Sequence, residues 1–303
     1  MNRRERIAAV LQGEPVIPVP CGELLVDDDF VRAYVGSEPG EGPAPWAARR
    51  AVLERLGHDL VVVAFSQGWG ASEQPDEEDA LFLVSHWKKE TDFFVCALVD
   101  GLFGAAVHAW GWEEALTRLT RAPSRTEEFM AETVVEREVL FQRLAAAGAD
   151  GVIIGDDIAY QRGPYVRLNA LRQTYFPFLR ILAERADALG LYVVFHSDGN
   201  LWTLLDDLIK TEINGLQGLE PEAGMSLAAV REHVGSRFCL WGNVDLGWLA
   251  QPRSPEVIAA HVEEILVPVL GTPVIFGTCA GLIAGLPPSN VDALYAAARA
   301  TGD

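Results

Sequence analysis

From about residue 124 onward the chain alternates between short apolar runs and helical stretches, and no other feature of the sequence constrains its fold as much. Five runs, Gly151–Gly155, Leu191–His196, Gly215–Leu219, Phe238–Gly242 and Val274–Gly277, pass into polar residues or glycine. The segments between them carry helix start and stop signals. Ser124 to Glu127 reads as a capping box ahead of Phe129–Ala147, and a helical stretch from Pro164 to Leu189 stops at Gly190. Asn200 is placed to cap the next helix, Ser254-Pro255 supplies an N-cap followed by proline, and Ser289 to Asp292 opens the last helix. Strands that alternate with helices in this way imply βαβ units and a parallel sheet.

The first half offers three further strands, Ile17–Cys21, Leu60–Ala64 and Leu102–His108. Three and five make eight, so the expected fold is an α/β (β/α)8 TIM barrel forming one domain over residues 1–303. The segment with Leu81–Ser85, Trp87–Glu90 and Phe93–Leu98 breaks the rhythm and reads as a β-hairpin inserted between barrel strands 2 and 3. A doubly wound open sheet is the competing architecture, but no Gly-rich phosphate loop follows the first strand. The Pro/Gly-rich stretch 38–45 and the acidic run 73–79 read as loops.

Composition narrows the function. No apolar run is long enough for a membrane span, and Arg3-Arg4-Glu5-Arg6 is followed by too short an apolar stretch for a signal peptide, so the expectation is a cytoplasmic protein. The four cysteines, Cys21, Cys96, Cys239 and Cys279, are far apart with no CxxC pair, which reads as free thiols. A formal net charge of −19 argues against nucleic acid and anionic membrane surfaces as partners, and leaves a small molecule.

Several segments together resemble uroporphyrinogen decarboxylase-like proteins. They are Arg4-Glu5-Arg6-Ile7 to Val19, Gly148–Gly151 running into Gly155-Asp156-Asp157, His196-Ser197-Asp198-Gly199-Asn200, Gly218–Met225, Trp241–Asp245 and Pro287–Val291. The likeness is strongest from about residue 140 to the end and weak between 20 and 110. It implies a barrel and one of two chemistries. One is cofactor-free decarboxylation of a porphyrinogen. The other is corrinoid-linked methyl transfer to a thiol activated on zinc, with a corrinoid protein as partner and often a homodimer. The methyltransferases carry a His-x-Cys pair after one strand and a later Cys near the last. Here His196-x-Asp198 stands in the first place and Cys279 in the second. The decarboxylases grip their many substrate carboxylates with an Arg-rich N-terminal motif. The matching stretch here, Cys21–Asp29, is acidic and holds no Arg, so it would repel a polyanion.

In a barrel, residues just past the C-terminal ends of the strands converge on one mouth. The strand reading places Asp156, Asp157, His196, Asp198, Glu220, Asn243, Asp245 and Cys279 there. His196 and Asp198, two apart on one strand face, suit a Zn²⁺ site with Cys279, and Glu220 offers an extra oxygen ligand or base. The rival reading makes His196 a hydrogen-bonded histidine oriented by Asp198, Cys279 a buried hydrophobe and Glu220 a loop carboxylate. Only one of Asp156 and Asp157 should face inward; Asp157 is preferred as acid or base, with Asp156 second or capping a helix. Asn243, His108 and Tyr160 are expected at the substrate. Trp69, Trp87, Trp110 and Trp112 either line an apolar pocket or pack in the core. The preferred function is metal-assisted methyl transfer; the alternatives are porphyrinogen decarboxylation and ligand binding without turnover.

Overall fold

Seven strands lie side by side in chain order, all parallel: β1 (Leu60–Ala64), β2 (Phe94–Asp100), β3 (Gly151–Gly155), β4 (Tyr192–Ser197), β5 (Gly215–Gly218), β6 (Cys239–Val244) and β7 (Val274–Thr278). They come from a computed structural model that describes residues 1–38, 40, 42–66, 68 and 75–302. The register is unbroken from Val62↔Cys96 through Ile153↔Val194 to Trp241↔Ile275. The sheet curls into a TIM-like barrel wall, with helices between successive strands.

The expected first strand, Ile17–Cys21, is reduced to one bridge, Cys21↔Phe276. Pro18 and Pro20 have no N–H to give a ladder, so a continuous strand cannot form there. The segment still joins the sheet's two edges. Phe276 N–H donates to the Pro20 carbonyl and Gly22 N–H to that of Phe276, while Asp59 N–H donates to the Cys21 carbonyl at 2.7 Å.

Two expectations for the first half are overturned. Leu81–Ser85 and Trp87–Glu90 belong to helix Glu77–Glu90, so there is no inserted hairpin. Asp76, read from sequence as part of a loop, caps that helix by accepting from Asp79 N–H, and Ala80, Val84 and Trp87 bury one face at helical spacing. Phe93–Leu98, assigned to the hairpin, falls largely within β2. Leu102–His108 is not a strand but most of helix Leu102–Trp110. Its run is apolar on all sides, so no period distinguishes strand from helix. What decides the matter is 53 residues away: Asp156 accepts from Phe103 N–H at 3.0 Å and Gly104 N–H at 2.7 Å. Elsewhere the differences are small. The helix expected from a box at Ser124 begins at Pro123 without a side-chain cap. The stretch 164–189 splits into Leu168–Thr174 and Phe176–Ala188, preceded by a short ribbon of Ala159–Tyr160 against Gly163–Pro164. Glu73, Gln74 and Trp69 lie outside the described residues.

Alternation along the strands divides the core. Leu60, Phe94, Cys96, Ile153, Val194, Cys239, Trp241 and Ile275 face inward and cluster with Ile7, Val10 and Leu11 of helix Arg3–Leu11, which closes the barrel floor. The alternate residues, among them Val95, Ile154, Phe195, Leu216 and Leu240, pack outward under the helices. Among the described residues no helix is long and apolar enough to cross a membrane.

Candidate metal centre

The same alternation selects the side chains at the mouth. Ile153 and Gly155 face inward, so Asp157 does too, and Val194 is followed in phase by His196 and Asp198. One ligand atom from each of Asp157, His196 and Asp198 lies within 4.8 Å of the others. His196 Nε2 is 3.7 Å from Asp157 Oδ1 and 3.9 Å from Asp198 Oδ1. These gaps are too long for hydrogen bonds. They are close to the spacing of about 3.4 Å that a tetrahedral metal with 2.0–2.2 Å bonds imposes on neighbouring donors.

Two of the three donors are aimed by a neighbour. His196 is buried, and its Nδ1 lies 2.5 Å from Oε1 of the fully buried Gln217. Asp157 Oδ1 accepts from Asp198 N–H at 3.1 Å. Asp198 is partly open to solvent, yet its Oδ1 is shielded and has no hydrogen-bond partner. Burial, then the Asp157 and Glu220 charges, push the Asp198 carboxyl up to about 6 against the lowering effect of His196. A shielded, unpartnered oxygen facing a second carboxylate and an imidazole is short of positive charge. The donor set, one imidazole and two carboxylates, suits a borderline divalent cation with an open fourth position. The residues therefore fit a bound metal.

Of the residues expected from sequence as metal ligands, two belong to this group. His196 and Asp198 take part, but the third member among the described residues is Asp157, which had been assigned only an acid–base role. Cys279 and Glu220 are near but outside the group. Gln217 Nε2 donates to the Cys279 carbonyl at 2.9 Å and to that of Thr278 at 3.3 Å, which holds the Cys279 backbone, and the buried thiol turns to the Leu219 carbonyl at 3.8 Å. Burial, followed by Glu220, Asp245 and Asp198, raises the thiol far above its ordinary range. Glu220 Oε2 accepts from Gly199 N–H at 2.8 Å. Gly199 has φ +86°, and a Cβ there would stand 2.7 Å from the Tyr160 backbone; glycine is what lets this turn close over the site.

Asp156 points the other way. It is fully buried, holds the first turn of helix Leu102–Trp110 and accepts from Tyr175 Oη at 2.7 Å. Burial raises its carboxyl to about 6 in spite of these donors. Asn243 clamps the loop that follows β5, donating to the Leu219 and Met225 carbonyls and accepting from Leu227 N–H. His108 is on a helix rather than at a strand end, with Nε2 3.1 Å from Asp100 Oδ2; Ser66 also donates to Asp100. Tyr160 is exposed and stacks on Tyr165 at 5.3 Å, and Tyr165 meets Trp112 edge-on at 4.8 Å. Burial and then the Asp157 and Asp198 charges raise the Tyr165 phenol. Trp87 is core and Trp110 packs on Phe129.

Three residues escaped the sequence reading. Gln217 sits inside a short apolar strand, where its inward phase was the available signal. Tyr165 was absorbed into a helical stretch. Glu23 is buried, accepts from Thr278 N–H at 3.0 Å, Thr278 Oγ1 at 2.6 Å and Tyr295 Oη, and thereby braces the turn that carries Cys279; burial lifts its carboxyl to about 7. In the acidic stretch that follows Cys21, Asp27 caps helix Asp28–Tyr34, and Asp28 and Asp29 pair with Arg49 and Arg32.

Comparison with known proteins adds the following. The family model described as uroporphyrinogen decarboxylase (URO-D) matches residues 80–301. No curated protein matches the chain by sequence. A solved structure described as a methyltransferase from Methanosarcina mazei superposes with a TM-score of 0.77 at 21% identity, covering 98% of each chain. A structure concerned with the pneumococcal virulence factor StrH and N-glycan hydrolysis aligns over 84% of this chain and 79% of the other, at TM-score 0.50 and 10% identity. At such identities the likeness is one of fold.

Proposed function

The chain belongs to the uroporphyrinogen decarboxylase family, and from that premise we propose that it is a methyltransferase-like enzyme whose Asp157, His196 and Asp198 hold a Zn²⁺ ion. The methyl acceptor is a small thiol and the donor a methylated corrinoid carried by a separate protein. The observation that carries this reading is the gap between the three donors, too wide for hydrogen bonds and suited to a metal. The fold likeness to a methyltransferase supports it.

When bound, the metal supplies Lewis acidity that favours thiolate over thiol. The chain's own residues do the rest. His196 offers Nε2 because Nδ1 is occupied by Gln217. Asp157 and Asp198 supply the negative charge that keeps a cation at the mouth. Glu220 and Gly199 fix the loop in which Asp198 sits. Tyr160, Tyr165 and Trp112 form an aromatic wall beside the acids, able to cover apolar substrate surface and exclude water. Cys279, turned to the Leu219 carbonyl, is a spectator rather than a ligand.

Porphyrinogen decarboxylation is served less well. The groups gathered at the mouth are acids, and the cations that touch the Cys21–Asp29 stretch, Arg32 and Arg49, are already paired.

Calorimetric titration with Zn²⁺ tests the reading. One ion per chain is expected for the wild-type protein and none for Asp157→Asn or Asp198→Asn, with Zn²⁺-dependent methylation of a small thiol by methylcobalamin lost in both. Unchanged binding in those variants, or turnover of uroporphyrinogen without metal, would refute it.

A further inference from the structure

We propose that Gln217 is a positioning residue that locks His196 in one tautomer and so decides which ring nitrogen faces the site; this deepens the metal-centre reading above.

Gln217 is fully buried on β5, in register with His196 on β4 and Trp241 on β6. A primary amide has a donor end and an acceptor end. The donor end meets two acceptors that cannot be reversed, the backbone carbonyls of Cys279 at 2.9 Å and Thr278 at 3.3 Å. Rotating the amide by half a turn would set Oε1 against both carbonyl oxygens and leave a buried NH2 facing the imidazole. The network therefore fixes Oε1 toward His196 Nδ1, 2.5 Å away. An amide oxygen only accepts, so Nδ1 must carry the hydrogen. The neutral ring then presents a bare Nε2 toward Asp157 and Asp198. A lone pair facing two carboxylates is unfavourable until a cation enters between them, so the tautomer that costs stability in the empty site is the one that binds.

The anchor is at a distance in sequence. The carbonyls that orient Gln217 belong to the turn after β7, 61 and 62 residues away, and that turn is braced in turn by Glu23 through Thr278. The His196 tautomer is thus set by the closure of the barrel between its last strand and the segment after Cys21.

The test is long-range ¹⁵N–¹H NMR of the histidine rings in metal-free protein at neutral pH. His196 is identified among the six histidines by its loss in His196→Asn. The wild-type ring should show protonated Nδ1 and bare Nε2. Gln217→Leu should admit the Nε2–H tautomer and weaken Zn²⁺ binding about 10- to 100-fold. Gln217→Glu keeps an acceptor at the same reach and can meet the Cys279 and Thr278 carbonyls only as the protonated acid; in that form it should retain Nδ1–H and bind Zn²⁺ as wild type does. Finding Nε2–H in the wild-type protein overturns the proposal, as does a Gln217→Leu variant with the wild-type tautomer. If Gln217→Leu does not fold, the wild-type and Gln217→Glu spectra still decide. If wild-type protein takes up no Zn²⁺, the metal reading fails while the tautomer spectra judge this proposal separately.

Discussion

The two ends of the barrel treat their carboxylates in opposite ways. At the floor, each acid preceding a strand has a cation. Asp150 is held by Arg4 at 3.2 Å and Lys88 at 2.5 Å, Asp59 by Arg6 at 2.7 Å and Asp92 by Arg3 at 2.7 Å. At the mouth, Asp157 and Glu220 each accept one backbone N–H, and Asp198 faces the edge of the His196 imidazole with its Oδ1 unpartnered. The floor is built to be stable as it stands. The mouth concentrates negative charge around a shielded oxygen, and such a surplus is useful only when something positive completes it.

Substitutions can break this contrast. The largest effect is expected at the floor. Asp150→Ala leaves Lys88, Arg4 Nε and Val95 N–H without their acceptor, and should cost about 3 kcal/mol in chemical denaturation. The adjacent pair at the mouth comes next. Asp156→Ala leaves Phe103 N–H, Gly104 N–H and Tyr175 Oη without an acceptor, and should cost about 2 kcal/mol by the same measurement. Asp157→Asn, one residue on, should leave the melting temperature nearly unchanged and abolish Zn²⁺ uptake. Asp198→Asn should raise the stability of the metal-free protein by up to about 1 kcal/mol, since solvent screens part of the repulsion it relieves. A destabilisation in that variant comparable with Asp150→Ala would erase the distinction between floor and mouth.

The smallest effect concerns pH. The Asp198 carboxyl is pushed up to about 6 by burial and by neighbouring acids. A raised folded-state value means that the metal-free fold holds this proton more tightly than the unfolded chain does. Its contribution is complete below the ordinary carboxylate pKa of about 4 and fades as pH rises through about 6. Zn²⁺ competes for the same oxygen, so the rise in melting temperature on adding Zn²⁺ should be slight at pH 5 and grow toward pH 7. A rise that is constant across this range would show that Asp198 is not a ligand.

The second half of the molecule was readable because each strand there is bounded by polar residues or glycine and each helix is long and amphipathic. From that, strand phase alone brings His196 and Asp198 to one mouth and separates Asp157 from Asp156. The first half was not readable for particular reasons. Leu102–His108 is apolar on every side and is made helical by Asp156, which no local pattern reveals. Helix Glu77–Glu90 was legible in principle from Asp76 and the spacing of Ala80, Val84 and Trp87, but its acidic first turn resembled a loop. Cys279 drew attention as a thiol near the last strand; its orientation depends on Gln217, 62 residues away, and could not be inferred from spacing. Family likeness pointed to His196, Asp198 and Cys279; the geometry groups the first two with Asp157, and no spacing in the sequence singles Asp157 out as a partner of that pair.

Crystals grown with Zn²⁺ and measured at the zinc absorption edge test the central claim most directly. The account predicts one strong anomalous peak between His196 Nε2, Asp157 and Asp198, with the Cys279 sulfur outside bonding distance. A peak coordinated by Cys279, or an intact protein with no peak at the mouth, would contradict it.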